Sequence, residues 1–318
     1  MRILITGATG FIGSHLAERL AADGHLVIGL DSFTDYYAPA LKEGNARILA
    51  EKGINILRLD LAQDALDEAA QNADVIFHLA AQPGLSPLPF ATYIRNNLIA
   101  TQRLLEAARQ NKNLRLFANI STSSVYGADA QGPETSEPRP TSDYGVTKLA
   151  AEQLAMAYHR TGKLPACSFR LFSVYGPRER PDKMYPKLIR ALLTDSSFPL
   201  FAGSEKHLRS YTFVGDVARG LANAISQMET CAGEIFNMGN DTAITTGQAI
   251  EIVENIVGKK VKLEHLPPRP GDQSATHANI AKARRLLGFA PSTSPQEGLR
   301  KTVEWAKAEW EGELRTKK

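Results

Sequence analysis

Cysteine is nearly missing from the 318 residues: only Cys167 and Cys231 occur, far apart and with no second Cys or His at metal-ligand spacing. This rules against a disulfide scaffold or a structural zinc, and the chain is expected to hold no metal. Long apolar runs are missing as well. No segment approaches the ~18 uninterrupted apolar residues of a membrane span. The opening Met-Arg-Ile-Leu-Ile-Thr-Gly carries too short an apolar run for a secretory leader. The expectation is a cytoplasmic protein with no membrane partner. Nor is there an excess of one charge, since 37 Lys+Arg against 34 Asp+Glu leave a scattered net +3. That balance argues against nucleic acid as a partner and leaves room for an anionic small molecule. What is present, 43% hydrophobic and 22% charged residues, suits one large α/β domain or two unequal ones.

Short β-branched or Leu-rich runs alternate with longer helical patterns in the first half. Arg2 to Thr6, Leu26 to Leu30, Ile54 to Leu59, Val75 to Leu79, Leu114 to Ile120 and Ala166 to Leu171 read as strands. Phe11 to Ala22, Tyr93 to Gln110 and Tyr144 to His159 place apolar residues at three- and four-residue spacing and read as helices. Continuously apolar strands, each followed by a helix, predict an α/β fold with a Rossmann-type doubly wound parallel sheet. After Phe172 prolines break the rhythm. Two further strands, Ser210 to Val214 and Glu234 to Met238, flank a helix at Asp216 to Gln227 and are expected to return to the main sheet. Residues 1–171 plus about 209–238 are then the dinucleotide-binding domain. About 172–208 plus 239–318 form a smaller, discontinuous substrate-binding domain over the carboxyl ends of the strands.

Directly after the first strand comes Gly7-Ala8-Thr9-Gly10-Phe11-Ile12-Gly13, which opens a helix. Glycines there permit a sharp turn and let backbone N–H groups and the helix N-terminus approach a pyrophosphate. Gly7, Gly10, Phe11, Ile12 and Gly13 are the expected cofactor contacts. Asp31, ending the second strand, can accept hydrogen bonds from ribose hydroxyls and repel a 2′-phosphate, and no Arg follows it; the expected cofactor is NAD. Asp60, ending the third strand, either faces the adenine or is a solvated aspartate before a helix.

Two distant segments carry the chemistry: Ser121-Thr122-Ser123-Ser124-Val125-Tyr126-Gly127 at a strand end, and Tyr144-Gly145-Val146-Thr147-Lys148 at a helix start. Tyr144 and Lys148, four apart, share a helical face. A phenol titrating near ~10 needs a neighbouring cation to act as base at neutral pH, a role Lys148 and the nicotinamide charge suit. The hydroxyls of Thr122, Ser123 and Ser124 complete the candidate catalytic set.

With these residues the chain resembles the extended short-chain dehydrogenase/reductases, the nucleotide-sugar epimerases and dehydratases. Further matching segments are His78-Leu79-Ala80-Ala81, Asn97-Leu98-Ile99-Ala100-Thr101, Val174-Tyr175-Gly176-Pro177, Arg209 to Asp216 and Arg269-Pro270-Gly271-Asp272. The resemblance implies cofactor contacts at Leu61, Leu79, Ala80, Ala81 and Asn97, and a sugar-nucleotide site including Arg209, Arg269 and Asp272. It also implies a homodimer formed through the helices at Tyr93 to Gln110 and Tyr144 to His159. Ser210 and Gly215 depart from the family's usual Asp at both places.

Within the family the reactions share oxidation at the sugar C4 and then diverge. The 4,6-dehydratases typically carry Asp-Glu where this chain has Ser123-Ser124, and the uronate decarboxylases carry Glu at the second position. Both reactions are disfavoured, leaving 4-epimerisation by hydride return to the opposite face. Neutral-sugar epimerases usually have Asn at Ser173, whereas Ser173, the run ending Arg180-Pro181-Asp182, and Asp35-Tyr36-Tyr37 resemble the UDP-glucuronate 4-epimerases. Arg180 is accordingly a candidate partner of the uronate carboxylate, its alternative being a salt bridge to Glu179 or Asp182. UDP-glucose or UDP-N-acetylglucosamine 4-epimerisation, and a non-catalytic NAD-sensing regulator, are the other readings.

Overall fold

The computed structural model describes residues 1–84, 88–268 and 275–315, with side chains described as far as Trp310. Arg269 and Asp272 lie outside the described residues. Seven parallel strands form the central sheet. They are β1 (Arg2–Thr6), β2 (Leu26–Asp31), β3 (Asn55–Arg58), β4 (Val75–His78), β5 (Leu116–Thr122), β6 (Ala166–Leu171) and the strand Ile235–Met238. The last strand pairs with β6, and the order continues β5, β4, β1, β2, β3. Between β1 and β4 the chain reverses its direction of travel across the sheet, which opens a crevice at the carboxyl ends.

The strands read as near-continuous apolar runs because both faces are covered. Ile3, Ile5, Val75, Phe77 and Phe169 pack into one core layer, and Leu4, Ile76, Phe117 and Ala166 into the other. A third apolar cluster lies apart from the sheet. It joins the helices Met184–Thr194, Thr246–Val257 and Pro295–Arg315 through Leu188, Ile189, Val253, Leu299, Val303 and Trp310.

Two expectations are corrected. Ser210 to Val214 does not return to the main sheet. Thr212–Phe213 pairs with Val174–Tyr175 instead, and Leu208–Arg209 lies between Ile244–Thr245 and Ala275–Thr276. The parallel strand Ile235–Met238 already occupies the free edge of β6. The helix at Tyr93 to Gln110 is also not continuous: a π-helical stretch, Ile94–Ile99, separates Phe90–Tyr93 from Ala100–Ala108. The wider turn holds Asn97 in the interior, where Oδ1 accepts from Gln82 N at 2.6 Å and Nδ2 donates to Thr147 Oγ1 at 3.1 Å.

The helix Asp143–Arg160 is fixed to the sheet by a buried ion pair. Arg170 on β6 donates to Glu152 through Nε at 2.9 Å and Nη2 at 2.7 Å, and to Tyr126 Oη at 2.8 Å. Glu152 lies two helical turns beyond Tyr144, so the pair fixes the rotation of the helix that presents the tyrosine and Lys148. No helix among the described residues is long and apolar enough to cross a membrane.

Candidate active site

The crevice widens into a cleft of about 700 Å³, with one wall from the sheet and the other from the chain after β6. The sheet wall begins with the glycine turn. Gly7 has φ +70°, a left-handed backbone that glycine adopts without strain. A Cβ at Gly13 would lie 2.2 Å from Gly7 O, so only glycine lets the helix Phe11–Ala22 start this close to β1. Gly7, Gly10, Phe11, Ile12 and Gly13 consequently all face the cleft.

Asp31 ends β2 and is buried. Its Oδ2 accepts from Thr9 N at 3.2 Å and its Oδ1 from Phe33 N at 2.9 Å, so the carboxylate braces the turn from behind. Lys42 sits beside it, Nζ 3.6 Å from Oδ1 and almost fully buried. Asn45, one turn further along that helix, donates to Thr9 O at 2.8 Å. Sequence reasoning missed both residues; the available signal was the spacing 42, 45, 49, which places two polar groups on the buried face of the helix Pro39–Glu51.

Asp60 lines the cleft, yet its carboxylate is engaged: Oδ2 accepts from Arg95 at 2.7 Å and Oδ1 from Ala62 N at 2.8 Å. Leu61, Leu79, Ala80 and Ala81 also line the wall. Asn97 does not; it stands behind, holding the backbone of Gln82. His78 is buried beneath the turn between Thr6 Oγ1 at 2.8 Å and Thr101 Oγ1 at 2.9 Å. Burial lowers it to about 3, so it stays neutral.

At the centre, β5 ends in Thr122, which caps the turn Ser123–Tyr126: its hydroxyl accepts from Ser124 N at 3.2 Å and lies 3.2 Å from Ser124 Oγ. The buried Tyr144 phenol hydrogen-bonds Thr122. Burial raises its pKa, and the Thr122 contact and the Arg180 charge oppose the rise. Lys148 donates to Ile120 O at 2.5 Å and is lowered to about 8 by burial, with Glu152 pulling the other way. Arg180, on the opposite wall, adds a positive charge acting on the phenol that the helical spacing did not reveal. Lys148 faces the cleft from the strand side.

The second wall carries Ser173, Glu179, Arg180, Asp182, Lys183, Tyr185 and Arg209. Arg180 Nη2 lies 3.4 Å from Asp182 Oδ2, and the guanidinium sits 5.3 Å from the centre of the Tyr36 ring. Just before it, Arg178 takes φ +67°, held by Glu18 through Nη1 at 3.1 Å and Nη2 at 3.0 Å and by His15 Nδ1 at 3.0 Å. His15 Nε2 is 2.9 Å from Pro177 O. A carbonyl only accepts and a guanidinium only donates, so His15 is neutral with its proton on Nε2. Burial and Arg178 lower it to about 4. His15 and Glu18 belong to the same helix that the glycine turn opens, so that helix anchors both walls.

Of the departures noted in the sequence, Ser210 is fully buried and its Oγ accepts from Ala278 N at 2.9 Å. It serves the fold at this position. Among the described residues no cluster of His, Cys, Asp and Glu could hold a metal ion.

A glycine turn on a parallel sheet, a carboxylate ending β2, and a Tyr/Lys pair beside strand-end hydroxyls define a dinucleotide-dependent enzyme of the short-chain dehydrogenase/reductase class. Residues 3–239 match the NAD-dependent epimerase/dehydratase family, and the chain belongs to it. It is 37% identical to YtcB of Bacillus subtilis, described as an uncharacterized UDP-glucose epimerase, over 98% of this chain and all of that one. It is 32% identical to UDP-glucuronate 4-epimerase 3 of Arabidopsis thaliana over 95% of this chain and 76% of that one. Among solved structures it resembles the Bacillus cereus UDP-glucuronic acid 4-epimerase in complex with UDP-glucuronic acid and NAD. That match has a TM-score of 0.92 and 37% identity, and covers 97% of this chain and all of that one.

Proposed function

We propose that the protein is an NAD-dependent 4-epimerase of a UDP-sugar that interconverts UDP-glucuronate and UDP-galacturonate. The observation that carries this reading is the convergence of Tyr144, Thr122 and Arg180 on one cleft whose strand end has no carboxylic acid. The sheet wall fits NAD: its glycine cradle admits no side chain at Gly13, and Asp31 lines the cleft beside it. NAD bound there supplies the hydride acceptor and donor for the sugar C4. Tyr144 takes the 4-hydroxyl proton and returns it, and Thr122 stabilises the phenolate by turning its hydroxyl proton from Ser124 Oγ to it. Ser123 and Ser124 orient the sugar without offering an acid that would expel water. Lys148 and the backbone of the glycine turn hold the dinucleotide; Ser173, Arg180, Arg209, Arg269 and Asp272 hold the sugar nucleotide.

The uronate assignment rests on Arg180. Its Nη1 is buried with no hydrogen-bond partner among the described residues, a donor suited to one oxygen of a C6 carboxylate. A neutral hexose is the second reading, favoured by the contact Arg180 already makes with Asp182. NMR of the products from a panel of UDP-hexoses and UDP-uronates decides between them. Arg180→Ala is expected to lower kcat/KM for UDP-glucuronate by about 2–5 kcal/mol more than for UDP-glucose. Equal losses on both place Arg180 in a structural salt bridge.

The division into a dinucleotide domain and a discontinuous sugar-nucleotide domain is supported by the separate third core cluster. Residues 209–213 go with the second domain in this reading, since their strands pair outside the main sheet. A homodimer is supported by exposed Ile99 and Val146, 43% and 45% accessible on the two helices named for it. Light scattering is expected to give twice the chain mass, and Val146→Asp to return it to one.

A further inference from the structure

The loop after Gly176 carries a buried carboxyl, Glu179, and a half-buried one, Asp182, flanking Arg180 in the chain. Glu179 Oε2, Arg180 Nη1 and Asp182 Oδ1 all lie out of reach of solvent without a hydrogen-bond partner among the described residues. All three residues line the cleft, and Glu179 is only 7% accessible. Three unpartnered polar atoms on adjoining residues mark a network completed by something that enters the cleft. Its charge depends on one proton. With Arg178 already paired to Glu18, an ionised Glu179 and Asp182 balance Arg180 and Lys183, and these four residues offer no net attraction to an anion. With Glu179 neutral, one positive charge is left over, matching a single carboxylate.

We propose that Glu179 is a specificity-determining residue: in its protonated form it leaves Arg180 free to bind a sugar carboxylate, and in its ionised form it repels one. The proposal rests on the reading of the substrate as a uronate. A protonated carboxyl also offers the donor that a second substrate oxygen needs, so the anion would be gripped by a cation and a neutral acid.

The surroundings favour the proton. Burial pushes the Glu179 carboxyl up to about 8, Lys183 and Arg180 pull it down, and Asp182 pushes it further up. From the elements packed against it, Tyr175, Tyr185 and Tyr211 face the same carboxyl, each with its own phenol raised by burial. None of these tyrosines is charged at neutral pH, so among the described residues Lys183 and Arg180 are the cations, and Asp182 the other anion, that act on it. A group raised in this way keeps its proton below about 8 and loses it above, so binding of the uronate is expected to weaken as the solution becomes alkaline.

The test is calorimetric titration of the NAD-loaded enzyme with UDP-glucuronate and, separately, UDP-glucose, from about pH 6.5 to about pH 9.5. Taking the ratio of the two affinities cancels the shared diphosphate and the titrations of Tyr144 and Lys148. For the unmodified protein the ratio is expected to be flat at low pH and to fall by about tenfold per pH unit above the Glu179 midpoint. Glu179→Gln, which keeps size and polarity, is expected to hold the ratio at its low-pH value throughout, and its binding of UDP-glucose reports that it is folded. A flat ratio in the unmodified protein, or a slope that survives in Glu179→Gln, overturns the proposal. Turnover of the same samples separates this from the substrate assignment. If only the neutral sugar is epimerised while the Glu179-dependent slope persists, the uronate reading fails and the charge assignment stands. Uronate turnover with a flat ratio gives the converse.

Discussion

The sheet wall of the cleft takes its shape from backbone, and the opposite wall takes its shape from side-chain pairs. Gly7 N donates to Leu30 O of β2 at 2.7 Å, Gly13 packs against Gly7 O, and Asp31 ends β2 and accepts from Thr9 N. Arg178, Glu179 and Arg180 lie on a loop whose left-handed turn is maintained by Glu18 and His15, two residues of a helix that belongs to the other wall. A cofactor common to a whole family suits the first kind of construction, because nothing there need vary with substrate. The second kind can be retuned by one substitution, which is where discrimination between sugars belongs.

Substitutions on the two walls are expected to separate in what they change. Tyr144→Phe, at their junction, should have the largest effect, cutting kcat by about 10²–10⁴-fold while leaving sugar-nucleotide affinity nearly unchanged. Steady-state kinetics beside equilibrium binding checks this; retained turnover would remove Tyr144 from the base role. Arg178→Ala should act on the sugar wall alone. Losing the pair to Glu18 should weaken sugar-nucleotide binding by about 1–3 kcal/mol with NAD affinity intact. Should NAD affinity fall equally, the two walls are one unit and the comparison fails.

Asp31→Ala tests the sheet wall. It removes the carboxylate and leaves Lys42 unopposed, so the preference for NAD over NADP should shrink by about tenfold, or ~1.4 kcal/mol, in cofactor titrations. A native protein that already prefers NADP would overturn the role of Asp31. A separate effect, on stability rather than on binding, is expected from acid. Because His15 is lowered from 6.5 to about 4 in the fold, the unfolded chain takes up its proton first. Stability should therefore decline as pH falls from 6.5 towards about 4. Thermal melts of the protein and of His15→Gln across that window should diverge, the variant showing the shallower decline.

Local pattern was enough for the sheet and its cofactor end. β1, β6 and the helix Phe11–Ala22 have the bounds expected from alternation and spacing, since each is dictated by its own residues and its immediate burial. The glycine turn, Asp31, Tyr144 and the strand-end hydroxyls meet in one cleft for the same reason: each ends or begins such an element. The π-helical stretch at Ile94–Ile99 was not legible, because Asn97 is drawn inward by Gln82 and Thr147, partners the local helical period does not contain. The strand expected at Ser210 to Val214 failed because the free edge of β6 is occupied by Ile235–Met238, a competition between distant segments.

The sequence by itself determined that this is a doubly wound α/β protein with a dinucleotide turn and a Tyr/Lys pair, because those features are written in short-range spacing. Only the tertiary structure decided what else surrounds the tyrosine. Lys148, four residues away on the same helix, donates to Ile120 O, and the charge of Arg180 acts on the phenol from a loop 36 residues further along. The same holds for the proton on Glu179. Its ionisation is set by burial and by the charges that folding gathers around it, and neither quantity exists in the extended chain.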